Sequence, residues 1–352
     1  MLDDIKKIIE DGIQAPSGEN CQPWRFVIRG NTLSVFNIPE ADLSIYNSKQ
    51  HGSYIAHGAL IENIRLSAGT RGYSIEISLF PDESDESHVG NIVFSKTVAH
   101  EDLLYSSIHN RTTNRKQFTG EKLSAHEKQA LTLAVMSNPH HDLVVVDNNA
   151  HLPALGHALA AHERILFEHK SMHSFFYDHI LWDKKDEHKA GGFYIETLEF
   201  LPHQLGAVKL FKSWFMLSLL NKILGVSKMI SKDNGKKYAE SGSLVAITMS
   251  GTTKSDYVYL GMQMERFWLT ATKLGLAVHP CNGTLYLKIH THHHGQEAFS
   301  DEHITIINDA HKVLIDSFKV KQGRIGLIFR IGRAEKPSAR ARRLPPVIQV
   351  LA

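Results

Sequence analysis

Gly58-Ala-Leu-Ile-Glu62-Asn-Ile-Arg-Leu66-Ser-Ala68-Gly-Thr-Arg-Gly72 aligns without a gap on Gly261-Met-Gln-Met-Glu265-Arg-Phe-Trp-Leu269-Thr-Ala271-Thr-Lys-Leu-Gly275, at a constant offset of 203 residues. Small and apolar positions recur at three- and four-residue spacing in both, and a glycine stands just past each end as a C-cap, so each predicts a helix. The same buried central helix is expected in two copies of one fold. A repeat this long means tandem domains rather than a solenoid.

Upstream of the first copy stands Ala15-Pro16-Ser17-Gly18-Glu19-Asn20-Cys21-Gln22-Pro23-Trp24-Arg25-Phe26, preceded by a predicted amphipathic helix from Asp3 to Gln14. This small-residue turn leads into a predicted strand, Arg25 to Arg29, and suits the laying of backbone and short polar groups against a flat ligand. Trp24 is expected in the core. Asn20 carries an amide that donates and accepts, which fits the edge of a fused ring, with an Asx-type turn role as the alternative. Between the two copies, Arg111-Thr112-Thr113-Asn114-Arg115 groups two guanidiniums and two hydroxyls, as a dianionic phosphate requires. Taken alone, that pentapeptide also reads as a solvated basic turn. A ligand flat at one end and a phosphomonoester at the other is a flavin mononucleotide (FMN).

At 352 residues the chain can bury a sizeable core in two domains or one large double-lobed one. A formal charge of +2 with 22% charged residues carries no global signature of nucleic-acid or acidic-membrane binding. Cys21 and Cys281 are too few for a disulfide framework, and a reducing, cytoplasmic setting is the expectation. The most apolar stretch, Trp214 to Val226, is interrupted by Asn221 and Lys222 and is shorter than the roughly 20 residues of a membrane span. No G-x-G-x-x-G follows a strand, so a resident dinucleotide fold finds no support. His290-Thr-His292-His293-His294, read as a loop, brings no Cys or carboxylate at ligand spacing, and no metal is expected.

The two binding stretches resemble the nitroreductase family, in which P-S-S-x-N-x-Q-P-W contacts the isoalloxazine and R-x-[ST]-x-[RK] grips the FMN phosphate. Pro16, Ser17, Gly18, Asn20, Gln22, Pro23 and Trp24 match the first, with Gly18 in place of the second serine; Arg111, Thr113 and Arg115 match the second. His279-Pro280-Cys281-Asn282-Gly283 resembles the family's P-x-E-G segment, whose main-chain N–H groups address the flavin, with Asn282 where many members have glutamate. Arg340-Ala-Arg342-Arg343-Leu344-Pro345-Pro346 resembles the terminal basic segment that reaches the phosphate, with Arg343 the first candidate and Arg342 the second. The resemblance therefore implies a cofactor-binding set of Pro16, Ser17, Gly18, Asn20, Gln22, Arg111, Thr112, Thr113, Arg115, Pro280, Asn282, Gly283, Arg342 and Arg343.

Against the family pattern the two halves have complementary losses. Residues 1–100 keep the flavin turn but lack a phosphate loop before it. Residues 101–352 have a predicted helix Glu101 to His109, the loop at 111–115, and a capping box at Ser124-Ala-His-Glu127 opening a helix to Met136. Where their flavin turn should stand they read Ser137-Asn-Pro-His-His-Asp142 and enter a strand, Leu143 to Val146. The resemblance, closest to a tandem, Acg-type subfamily, implies an α+β intramolecular pseudo-dimer of two nitroreductase-like repeats with one FMN between them. It also implies NAD(P)H as a transient reductant of that flavin and a nitroaromatic, quinone or similar flat small molecule as acceptor. Neither nucleic acid nor membrane is an expected partner, and the monomer itself acts as the pseudo-dimer. The flavin supplies the hydride chemistry, so no side chain is assigned as acid or base. The alternative is an FMN store under a closed lid.

A helical insertion spans about 170–240. Within it, Leu205 to Ile230 is apolar enough that its face is expected to be buried, either as a lid over the flavin or against a partner chain.

Overall fold

A computed structural model describes residues 1–188, 191–320 and 322–351. In chain order the elements are α1 (Leu2–Gly12), β1 (Trp24–Arg29), β2 (Thr32–Asn37), α2 (His51–Thr70), β3 (Tyr73–Leu79) and β4 (His88–Lys96). After these come α3 (Ala125–Val135), β5 (Leu143–Val146), α4 (Leu152–Glu168), α5 (Lys170–Asp178), β6 (Ile180–Leu181) and β7 (Phe193–Tyr194). The chain continues through α6 (Leu205–Phe211), α7 (Trp214–Leu224), α8 (Val226–Ala239), β8 (Ser243–Met249) and α9 (Lys254–Lys273). It closes with β9 (Ala277–Pro280), α10 (Gly283–His294), α11 (Asp301–Phe318), β10 (Arg324–Gly332) and β11 (Ile348–Leu351).

The architecture is α+β, and the repeat is visible in its topology. One sheet runs β11-β1-β2-β4-β3 and the other β5-β8-β10-β9, so the four-strand order of the second repeats that of the first. Strand β11 is the addition: it crosses from the far end of the chain to pair in parallel with β1, Phe26 opposite Ile348.

The repeated helices α2 and α9 pack directly on each other between the sheets. A Cβ on Gly58 would stand 1.9 Å from the carbonyl oxygen of Val258, and one on Gly261 would stand 2.0 Å from that of Ile55. The two clashes are images of each other under the 203-residue offset, which is the mark of a pseudo-two-fold axis through the crossing. Bare backbone at both positions permits the close approach. Around it one continuous core gathers Ile5, Ile8 and Ile9 of α1, Trp24 and Phe26 of β1, and Phe267 and Trp268 of α9.

The insertion between β5 and β8 covers the outer face of the second sheet. Along β8 and β10 nearly every residue is buried, and alternate residues serve different cores: Val245, Ile247 and Phe329 face the central helices, whereas Leu244, Ala246 and Ile328 face α4 and α11. A strand covered on both faces reads as a continuous apolar run. By contrast, after buried Tyr73, β3 alternates exposed and half-buried positions, as expected with one face toward water.

Several sequence expectations change. The predicted helix Glu101 to His109 is only a 3-10 turn at Tyr105–Ser107. There the Asp102 side chain takes the Leu104 N–H at 2.9 Å, and successive three-residue hydrogen bonds draw Leu104 and Ile108 into a small cluster with Leu66 and Leu269. The segment Leu205 to Ile230 is three helices, interrupted at Ser213, the N-cap of α7, and at Gly225, whose φ of 65° ends it. Its apolar face is exposed rather than buried, with Phe215 71% and Ile223 68% accessible. The histidines from His290 to His294 ride on the last turns of α10, not on a loop. The helix opened by the capping box of Ser124 and Glu127 is present as α3.

Candidate functional site

Where β1 begins, the backbone of the preceding turn is strained: Glu19, Asn20 and Gln22 all adopt left-handed φ values, 43°, 58° and 51°. Each costs of order 1–3 kcal/mol for a side-chain-bearing residue and persists only where its surroundings hold it. Here the hold is specific. The Gln22 N–H donates to Ser17 Oγ at 3.0 Å, and the Gln22 carboxamide oxygen accepts from the Leu344 N–H at 2.8 Å. Asn20 donates from Nδ2 to the Arg342 carbonyl and accepts from Arg343 at Oδ1, at 3.0 and 2.6 Å. Thus the C-terminal basic segment clamps the N-terminal turn on its way to β11.

The loop at 111–115 is brought to the same place by a bridge of Thr113 to Val278 and by the Asn114 N–H, which donates to the Val278 carbonyl at 2.9 Å. Arg111 is almost fully buried, 4.7 Å from the Trp268 ring centroid and 3.3 Å from Glu265. Arg111 and Arg343 donate to one carbonyl oxygen, that of Gln14, at 2.7 and 3.2 Å, and Arg340 donates to the Gln14 side chain at 3.2 Å. Three guanidiniums therefore converge, with Glu265 the one carboxylate facing them among the described residues. Burial, then the neighbouring Arg111 and Arg340, pull Arg343 down to about 9; burial, then Arg111, pull Arg340 down to about 10. Burial likewise pushes Glu265 up to about 7, against the pull of Arg111. A cationic cluster short of counter-charge fits a dianionic phosphate.

A cavity of about 380 Å³ opens beside this cluster. Of the residues predicted for the cofactor, Pro16, Ser17, Gly18, Asn20, Arg111, Thr112, Thr113, Arg115, Pro280, Asn282, Gly283 and Arg343 line it. Gln22 and Arg342 do not: Gln22 braces the turn from behind, and Arg342 contributes its carbonyl to Asn20. Arg340, two residues earlier, lines the cavity in its place. Arg115 is separated from the cluster, although spacing alone sets it beside Arg111. Its guanidinium donates to the Thr197 carbonyl at 3.0 Å and lies 5.5 Å from the Phe193 ring centroid. Asn282 turns its Oδ1 to the Ile328 N–H at 2.6 Å, so that side chain is spent on the sheet.

The wall opposite comes from the insertion, through Phe175, Phe176, Phe193 and Thr197, whereas no residue of Leu205 to Ile230 lines the cavity. The cover comprises 175–188 and 191–197, and it is latched. The Gly192 N–H donates to the Glu19 carbonyl at 2.6 Å, Arg115 holds Thr197, and Glu199 accepts from the Ser338 N–H and hydroxyl at 2.6 and 2.7 Å.

No family model matches the chain. An uncharacterized protein of Mycobacterium tuberculosis strain CDC 1551 is 24% identical over 345 residues, 96% of this chain and 46% of that protein. The Acg protein of M. tuberculosis, provisionally named an NAD(P)H nitroreductase, is 28% identical over 95 residues, 26% of this chain and 28% of its own. A second provisionally named NAD(P)H nitroreductase of that organism, Rv3131, is 22% identical over 117 residues, 33% of this chain and 34% of its own. Over those stretches the chain is similar in sequence to these two proteins. It spans less than half the length of each of these relatives. Among solved structures, the FMN-dependent nitroreductase NfnB of Mycobacterium smegmatis in complex with NADPH matches at 12% identity over 65% of this chain and 86% of that one, with a TM-score of 0.33.

Two carboxyl groups of the cavity are absent from the set expected from the sequence. Glu19 and Asp42 both line it; burial and then the Asp42 charge push Glu19 up to about 8, and burial raises Asp42 as well. Asp42 carries no motif, and its place depends on how the loop after β2 folds back. The variable position of the flavin turn, where Glu19 sits, offers no signal beyond its neighbours. Further along, His279 accepts from Arg330 at 2.9 Å, and burial with that charge holds it neutral.

Proposed function

We propose that the chain is an FMN-binding oxidoreductase that uses NAD(P)H to reduce a flat acceptor such as a nitroaromatic or quinone. One observation carries the reading: the strained turn of residues 17–22 and the cluster of Arg111, Arg340 and Arg343 border one cavity, although they come from three distant stretches of the chain. Arg111, Arg340 and Arg343 would hold the phosphate, and the 16–18 turn with Pro280 and Gly283 would border the ring system. Bound flavin supplies the hydride acceptor and donor. The protein binds it, orients it, and excludes water with Phe175, Phe176 and Phe193. One FMN is expected per chain, the monomer serving as its own pseudo-dimer in the cytoplasm.

A second reading, a flavin store, is favoured by the latches at Glu19, Arg115 and Glu199, which close the cover over the cavity. Released-flavin chromatography tests the shared part: about one FMN per chain supports it, and none after reconstitution overturns it. Anaerobic mixing with NADH or NADPH separates the two. Bleaching by either nucleotide supports the reductase, whereas bleaching by dithionite alone supports the store.

A further inference from the structure

We propose that α6, α7 and α8 form a docking face for an anionic lipid bilayer surface, independent of the flavin site. Of the eighteen large apolar side chains exposed among the described residues, seven lie between Leu201 and Met229. Phe215, Leu219 and Ile223 recur every four residues along α7 and so share one side of it, while the helix buries only Leu217 fully. Past the left-handed turn at Gly225, exposed Met229 carries the apolar surface onto α8.

Charge identifies the occupant. From 200 to 232 there is no Asp or Glu, and Lys209, Lys212, Lys222, Lys228 and Lys232 are all exposed. Among the described residues none of these lysines is within 4.0 Å of a carboxylate oxygen. The whole chain carries only +2, so five positive charges here are a local asymmetry. Exposed Phe, Leu and Ile between lysines are the makeup of an element lying at the headgroup boundary, apolar side in the acyl chains and ammonium groups among the anionic headgroups. Among the described residues no helix is long and apolar enough to cross a membrane. A second copy seated on this face would set its own lysines against these. A nucleic acid would use the lysines but not the apolar row.

The test is co-sedimentation of the full chain with phosphatidylcholine vesicles, with and without phosphatidylglycerol. Binding is expected only with the anionic lipid, and it should weaken as salt is added. Replacing both exposed side chains in Phe215→Ser/Ile223→Ser should abolish it, while flavin content and thermal unfolding stay unchanged. Lys222→Gln or Lys228→Gln should each lower the partition coefficient about fivefold. Equal binding to both vesicle types, binding that ignores the double substitution, or none at low salt would overturn the proposal. So would a wild-type dimer in light scattering that Phe215→Ser dissociates, because the face would then belong to a second copy.

Discussion

Arg111 and Arg343, from the middle and the end of the chain, donate to the same oxygen, the carbonyl of Gln14, at 2.7 and 3.2 Å. One backbone acceptor thus ties the start of the chain to the phosphate-type loop and the basic tail. The site exists only when all three meet.

Removing Arg343 should weaken FMN retention about 10- to 150-fold, the equivalent of a charge-assisted contact of about 1.5–3 kcal/mol. Arg342→Ala should change it less than about twofold, because Arg342 serves through its backbone. Fluorescence titration of the apoprotein measures both. Equal losses in the two variants would contradict the geometry.

Arg111→Ala should behave differently from Arg343→Ala. It leaves Glu265 buried without its cation, a change that costs about 3–5 kcal/mol of stability in comparable buried pairs. A lowered urea midpoint for Arg111→Ala, against an unchanged one for Arg111→Ala/Glu265→Gln, is the expected pattern.

Gly58→Ala and Gly261→Ala should each destabilise the fold by about 3 kcal/mol or more, since the new methyl meets backbone that no rotamer change can move. Thermal unfolding checks this. Gly206, with open space around it, is the control, and alanine there should be tolerated.

Glu19 makes the stability depend on pH in a defined direction. Its folded value of about 8 lies above the ordinary 4.5, so the folded state keeps a proton that the unfolded chain releases. Its contribution is full below about 4.5 and is lost as pH rises through about 8. The difference in melting temperature between Glu19→Gln and wild type should therefore grow in favour of the variant from pH 5 to pH 9. A constant difference would place the Glu19 carboxyl in water.

Glu199→Ala should open the cover. Removal of its two hydrogen bonds to Ser338 should speed flavin release about 30-fold, at roughly 1 kcal/mol per bond. Stopped-flow dilution into excess apoflavodoxin-type acceptor reads that rate.

The local elements were legible because their causes are local. Spacing and a terminal glycine mark the α2 and α9 helices, the Ser124 and Glu127 pair marks the start of α3, and the small-residue turn before Trp24 marks the start of β1. Pairing the two copies was legible too, since a shared offset carries no dependence on long-range contacts. Tertiary structure decided the rest. Arg340 rather than Arg342 faces the cavity because β11 pairs with β1 and so sets where the tail runs. Arg115 leaves Arg111 because the insertion offers it the Thr197 carbonyl, a partner that lies 82 residues away. Whether an apolar helix is a cover or an open face depends on what packs against it. Among the described residues Phe215 and Ile223 stay mostly uncovered, because α4 and the second sheet are already covered by α8 and α11.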